Sequence, residues 1–68
     1  MSFYKVIQVV GTSEVSWDDA AKNAIQSASE TQHDLRVGEV TRMDVKVEHG
    51  KIIYRARLDL SFKDIHGT

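Results

Sequence analysis

Along residues 51–63, Ile52, Tyr54, Ala56, Leu58, Leu60 and Phe62 alternate with Ile53, Arg55, Arg57, Asp59, Ser61 and Lys63, of which all but Ile53 are polar. A period of two is the mark of a strand with one face on a core and the other off it. Residues 36–48 form a second long strand, joined to the first at His49-Gly50, where glycine can take the positive φ of a two-residue hairpin turn. That turn predicts a register. Val47 faces Ile52, Val45 faces Tyr54, Met43 faces Ala56 and Val37 faces Phe62 on one side; on the other, Lys46 faces Ile53, Asp44 faces Arg55, Arg42 faces Arg57, Val40 faces Asp59 and Arg36 faces Lys63. Continued without a break, this register would set Thr41 and Glu39 against Leu58 and Leu60, so a bulge near Gly38 is expected to re-aim them.

Residues 3–10 are rich in β-branched and aromatic types and predict a first strand, ending in a turn at Gly11-Thr12-Ser13. Ser16 stands as a helix N-cap with Asp19 as a capping-box partner, and Asp18 adds charge at the positive end of the helix dipole. Trp17, Ala20, Ala21, Ala24, Ile25 and Ala28 fall on a single helical face, and the pattern dissolves at residues 31–34. The alanines allow close approach to a sheet, with Trp17 and Ile25 supplying bulk to the core. The order is therefore β-α-β-β, an α+β fold with a three-stranded antiparallel sheet partly wrapped around one helix, strand 51–63 in the centre. Residues 64–68 read as a frayed tail.

A 68-residue chain is a single domain, 1–68, near the lower limit of independent stability. It has no cysteine, so neither a disulfide nor a thiolate metal site can supplement the core. One helix cannot cover strands of 13 residues, which span on the order of 40 Å. Homo-oligomerisation is the expected remedy. No window approaches a membrane span, no basic leader opens the chain, and the expected location is the cytoplasm.

Charge narrows the chemistry further. The net charge of −1 gives no global attraction to nucleic acid or membrane. Locally, Arg36, Arg42, Arg55 and Arg57, with Lys46 and Lys63, share one face of the hairpin, which could grip a phosphate or a nucleic-acid backbone. The face that would stack bases lacks aromatics, because Tyr54 and Phe62 point the other way, and the favoured reading has Asp44 and Asp59 neutralising the arginines across a subunit contact. His33, His49 and His66 lack zinc-site spacing. The acids Glu14, Asp18 and Asp19 leave open calcium or magnesium held between subunits, and they oppose a phosphate-loop reading of Gly11-Thr12-Ser13. With no nucleophile elbow and no acid-base pair in a setting that shifts its pKa, an enzyme is not expected.

Tyr4-Lys5-Val6 through Gly11-Thr12-Ser13, Ser16-Trp17 with Ala20-Ala21, Arg36-Val37-Gly38-Glu39-Val40, and Tyr54-Arg55 with Leu58 to Phe62 together resemble the dodecin family over nearly the whole chain. The resemblance implies a hollow homododecamer that binds a small ligand without catalysis, flavin (riboflavin, FMN or FAD) being the family's default, in a storage or buffering role. In flavin-binding dodecins a tryptophan early in the second strand stacks on the isoalloxazine ring and a glutamine after the third-strand tyrosine hydrogen-bonds to it. By this likeness Val37 and Gly38 occupy the tryptophan and following aromatic positions, and Arg55 occupies the glutamine position. Both signature side chains are replaced, and Trp17, on the helix stripe, cannot stand in for the stacking residue. The cofactor-binding candidates are accordingly Val37, Gly38, Arg55 and Arg57, and the chain looks like the non-classical branch, which includes calcium dodecins.

Overall fold

The computed structural model describes residues 3–64. Strand β1 (Phe3–Ser13) leads to helix α1 (Trp17–Thr31), and then strands β2 (Leu35–Glu48) and β3 (Lys51–Asp64) form a hairpin. The sheet order is β1-β3-β2 with both pairings antiparallel, so β3 is central as its alternation predicts. Of the predicted tail at 64–68, Asp64 belongs to β3, and the remainder lies outside the described residues.

The core lies between α1 and the helix face of β3: Ala20 and Ala24 meet Ala56, Leu58, Leu60 and Phe62, with Ile7, Val9, Ala21, Ile25, Ala28 and Leu35 packed around them. Small helix residues bring the two backbones together. A Cβ placed on Gly11 would sit on the carbonyl oxygen of Ala20 and 2.8 Å from the Cβ of Ala24, so glycine is what permits β1 to pass so close. Gly11-Thr12-Ser13 is thus strand and not the predicted turn: it pairs with Ala56, Arg55 and Tyr54, because β3 is long enough to carry β1 through to the helix start.

The helix opens as predicted at Ser16, whose Oγ accepts from the Asp19 backbone N–H at 3.0 Å. The reciprocal half of the cap differs from the sequence expectation. Asp19 accepts instead from the Ser13 hydroxyl at 2.6 Å, and Ser13 Oγ accepts from the Val15 and Ser16 backbone N–H groups at 2.9 and 3.5 Å. Buried Ser13 thus ties strand end to helix start.

At the hairpin, His49 (φ 51°) and Gly50 (φ 77°) both lie in the left-handed region, the signature of a type I′ turn. The predicted register holds from Glu48↔Lys51 through Val47↔Ile52, Val45↔Tyr54, Asp44↔Arg55, Met43↔Ala56 and Arg42↔Arg57. Beyond that it shifts twice, leaving Thr41 and then Arg36 as extra residues on β2 on either side of Gly38. The physical reason is visible in β3, whose alternation never breaks. Inserting Thr41 turns Thr41 and Glu39 away from the core, so that Val40 meets Leu58, Glu39 meets Asp59 and Gly38 meets Leu60; inserting Arg36 brings Leu35 opposite Phe62. The predicted pairs Val40 with Asp59, Val37 with Phe62 and Arg36 with Lys63 are therefore replaced.

The molecule measures 51 × 20 × 15 Å. Helix α1 spans only about 22 Å and packs mainly on β1 and β3, whereas the hairpin strands run about 46 Å. The far half of the hairpin consequently leaves Met43, Val45, Val47 and Ile52 exposed on the helix face, Val47 at 71%.

Candidate functional site

The open face of the sheet carries Val6, Gln8, Val10 and Thr12 from β1, Ile53, Arg55, Arg57, Asp59 and Ser61 from β3, and Val37, Glu39, Arg42, Asp44 and Lys46 from β2, by the pairing register. At its middle, Arg55 donates from Nε to Asp44 Oδ1 at 2.6 Å and from an Nη to Asp44 Oδ2 at 2.7 Å. This is the planar two-bond match between guanidinium and carboxylate. Both side chains are 41% exposed. The bonded Arg55 guanidinium holds Asp44 below its ordinary pKa of 3.8; partial loss of solvent pushes the other way, and the charges of Arg55, Arg42 and Arg57 add to the lowering. Asp44 in turn raises the pKa of Arg55.

The backbone beneath this pair is held from the opposite face. Trp17 donates its indole N–H to the Asp44 carbonyl at 2.9 Å, and its ring stands edge-on to Tyr54 with centroids 5.1 Å apart. Trp17 is therefore no core residue, as its place on the helix stripe suggested, but a 39%-exposed strut at the rim of the helix-covered area. Its position one residue after the N-cap carries it past the buried alanines toward the β2 edge.

A small concavity of about 30 Å³ lies on the open face, lined by Val10, Arg42, Asp44, Arg55 and Arg57. Thr41, the extra residue beside it, donates its hydroxyl to the Arg57 carbonyl at 3.3 Å. A larger groove of about 480 Å³ runs between β1 and α1, with Ile7, Val9, Gly11, Ala24 and Ala28 on its apolar side.

Of the four sequence-predicted contact residues, Arg55 and Arg57 stand together in the concavity. Val37 is on the same face, 55% exposed, but opposite Ser61, four residues or about 13 Å along β3 from Arg57. Gly38 points to the other face: a Cβ there would meet Leu60 at 3.2 Å and Ile25 at 3.4 Å, so it is a packing position and its side of the sheet is closed by the helix. Arg36 leaves the arginine face for Asp34, at 3.9 Å. Asp59 accepts from Gln8 at 3.4 Å and pairs with no arginine among the described residues, whereas Asp44 pairs with Arg55 within the same chain. Val10 and Trp17 were missed as neighbours of the site. Val10 becomes visible only once the β1–β3 register sets it opposite Arg57, and nothing in periodicity reveals a side chain reaching a strand edge.

Neither implied ligand finds a complete set of groups in one chain. The register places exposed Tyr4 on the open face, but opposite Lys63, eight residues along β3 from Arg55; with no ring opposite or beside Arg55 and only an aliphatic surface at Val37, a flavin stacked at the predicted positions does not fit these residues. Among the described residues no group of three or more His, Cys, Asp or Glu is placed to hold a metal ion. Glu14 instead lies 3.9 Å from Lys51, and Asp19 is engaged by Ser13. No helix among the described residues is long and apolar enough to cross a membrane.

Comparison with known proteins gives a consistent result. The family model described as Dodecin matches residues 3–64. The calcium dodecin of Mycobacterium tuberculosis is 48% identical over 64 residues, covering 93% of this chain and 90% of that protein. A crystal structure of calcium dodecin from the same organism, described as a calcium-chelating immunodominant antigen with a novel calcium-binding site, is similar with a TM-score of 0.85 at 43% identity, covering 97% of this chain and 96% of that one. The dodecin of Streptomyces coelicolor gives a TM-score of 0.89 at 34% identity, with coverages of 97% and 96%.

Proposed function

The chain belongs to the dodecin family, and from that premise we propose that it is a non-catalytic, cytoplasmic homododecamer that binds and stores a small ligand on the open face of its sheet, with Arg55 and Arg57 as contact residues. The observation that carries this reading is the bidentate Arg55–Asp44 pair at the centre of that face. It rigidifies a side chain at the position where a flavin-contacting glutamine is expected, and it sits at an indentation and not on a packed core. Arg55 keeps one Nη outside the Asp44 pairing, available to a ligand carbonyl or phosphate.

Flavin is the family's default ligand, but this chain replaces both groups that hold it: Val37 cannot stack, and a guanidinium paired with Asp44 stands in place of the glutamine amide. Riboflavin is expected to keep most of its fluorescence when titrated with the wild-type protein. The variant Val37→Trp, which puts an indole on an already exposed position of the open face, is expected to restore quenching. Strong quenching by the wild type would contradict this account of the site.

A second reading is supported by the likeness to calcium dodecin. Calcium or magnesium would have to be held by carboxylates from different copies, Glu14 and Asp18 at the exposed start of α1 being the available groups. Calorimetry with calcium chloride, and thermal stability with and without chelator, decide it: a heat of binding and a stability lost on chelation support the ion, and their absence removes it.

A further inference from the structure

We propose that Arg42 and Arg57, opposed across β2 and β3 on the open face, form a seat for a dianionic phosphate group, flanked by Val10 beside Arg57 and by the Asp44–Arg55 pair. The inference rests on the small-ligand reading above and names the chemistry of the group that the ligand presents.

Two arginines directly opposite one another on a sheet repel, and such a pair is destabilising unless something lies between them. Nothing in the described chain fills that role: no carboxylate lies within ion-pair distance of Arg42 or Arg57 among the described residues. The nearest acid, Asp44, has both oxygens taken by Arg55. Three guanidinium groups therefore line the concavity against one carboxylate, a surplus of two positive charges in a chain whose net charge is −1. Glu39 and Asp59 are the next charges along the same face; they oppose each other two pairs further on, and Asp59 is turned to Gln8. They bound the seat on that side and make it short, which favours a compact anion over a long polyanion.

Geometry supports a built feature. The Thr41 insertion ends the regular pairing immediately beyond Arg42, and its hydroxyl fastens the Arg57 carbonyl, so both arginines leave a locally fixed stretch of backbone. Each guanidinium offers a fork of donors matched to tetrahedral oxyanions, and two forks supply the donors and charge that a phosphate dianion needs. Val10, opposite Arg57 on β1, adds an apolar flank to the concavity.

The test uses the assembled wild-type protein and the variants Arg42→Gln, Arg57→Gln and the double variant, with inorganic phosphate and a small phosphomonoester, glycerol phosphate, as probes in low-salt calorimetry. Both probes are expected to bind the wild type, on the order of tenfold more weakly in each single variant, and not measurably in the double variant. Phosphate is also expected to raise the melting temperature of the wild type and leave that of the double variant unmoved. Without phosphate, the double variant is expected to melt at or above the wild type, because the like-charge contact is gone. Equal phosphate affinity in the wild type and double variant would overturn the seat. So would no binding to the wild type, or a single-stranded oligonucleotide binding it more tightly than either phosphate. Light scattering on the same samples separates the two claims: an intact assembly that ignores phosphate sinks this inference alone, whereas a monomer mass sinks the assembly it is built on.

Discussion

Asp44 and Arg55 meet on the open face because they are directly opposite on adjacent strands, and Trp17 locks the backbone of Asp44 from behind. The pair gives the protein a titration signature. Asp44 has a folded-state pKa below its ordinary 3.8, so its stabilising contribution is complete above that value and is lost as pH falls through 3.8 toward the lower folded-state pKa. In Asp44→Asn that contribution is absent throughout. The melting temperatures of wild type and Asp44→Asn are thus expected to differ near neutral pH and to converge below about pH 4; parallel curves across that window would mean that the pair contributes nothing. The partners themselves were legible in the hairpin register, as were Arg42 and Arg57. What could not be read was Trp17. Helical periodicity records which stripe a residue shares, but not whether its indole turns inward or reaches a strand edge.

Two small residues decide how the elements fit. Gly11→Ala would press a methyl group against the Ala20 carbonyl and Ala24, and the helix would have to move off the sheet. A loss of about 1–3 kcal/mol in denaturant unfolding is expected, the range for overpacking a close contact. Ser16→Ala removes the acceptor for the Asp19 N–H and is expected to cost about 1 kcal/mol. Helix and hairpin were legible from caps, stripe and turn because those signals are local. The strand character of Gly11 to Ser13 was not, since its cause is pairing with Arg55 and its neighbours more than forty residues away. A bulge near Gly38 was inferable from the clash of polar Thr41 and Glu39 with apolar β3, but its division into two insertions, at Thr41 and Arg36, depends on seating Leu35 against Phe62. Gly38, a ligand-contact candidate by the family likeness, faces the helix in this chain, where a Cβ would meet Leu60 and Ile25.

At the scale of the whole molecule, the mismatch between a helix of about 22 Å and a hairpin of about 46 Å leaves one end of the sheet uncovered. Met43, Val45, Val47 and Ile52 line that end on the helix face, on a chain with no cysteine to staple a small core. In the proposed assembly, burial of these residues against neighbouring copies would remove the cost of exposing them and supplement a small core. Family membership is shown over residues 3–64, and the proposed ligand face, the phosphate seat and any ion site all presuppose that copies assemble. The most direct test is the mass of the purified protein in solution by multi-angle light scattering at micromolar concentration. The account predicts a single species of twelve times 7.7 kDa; a species of 7.7 kDa would contradict it.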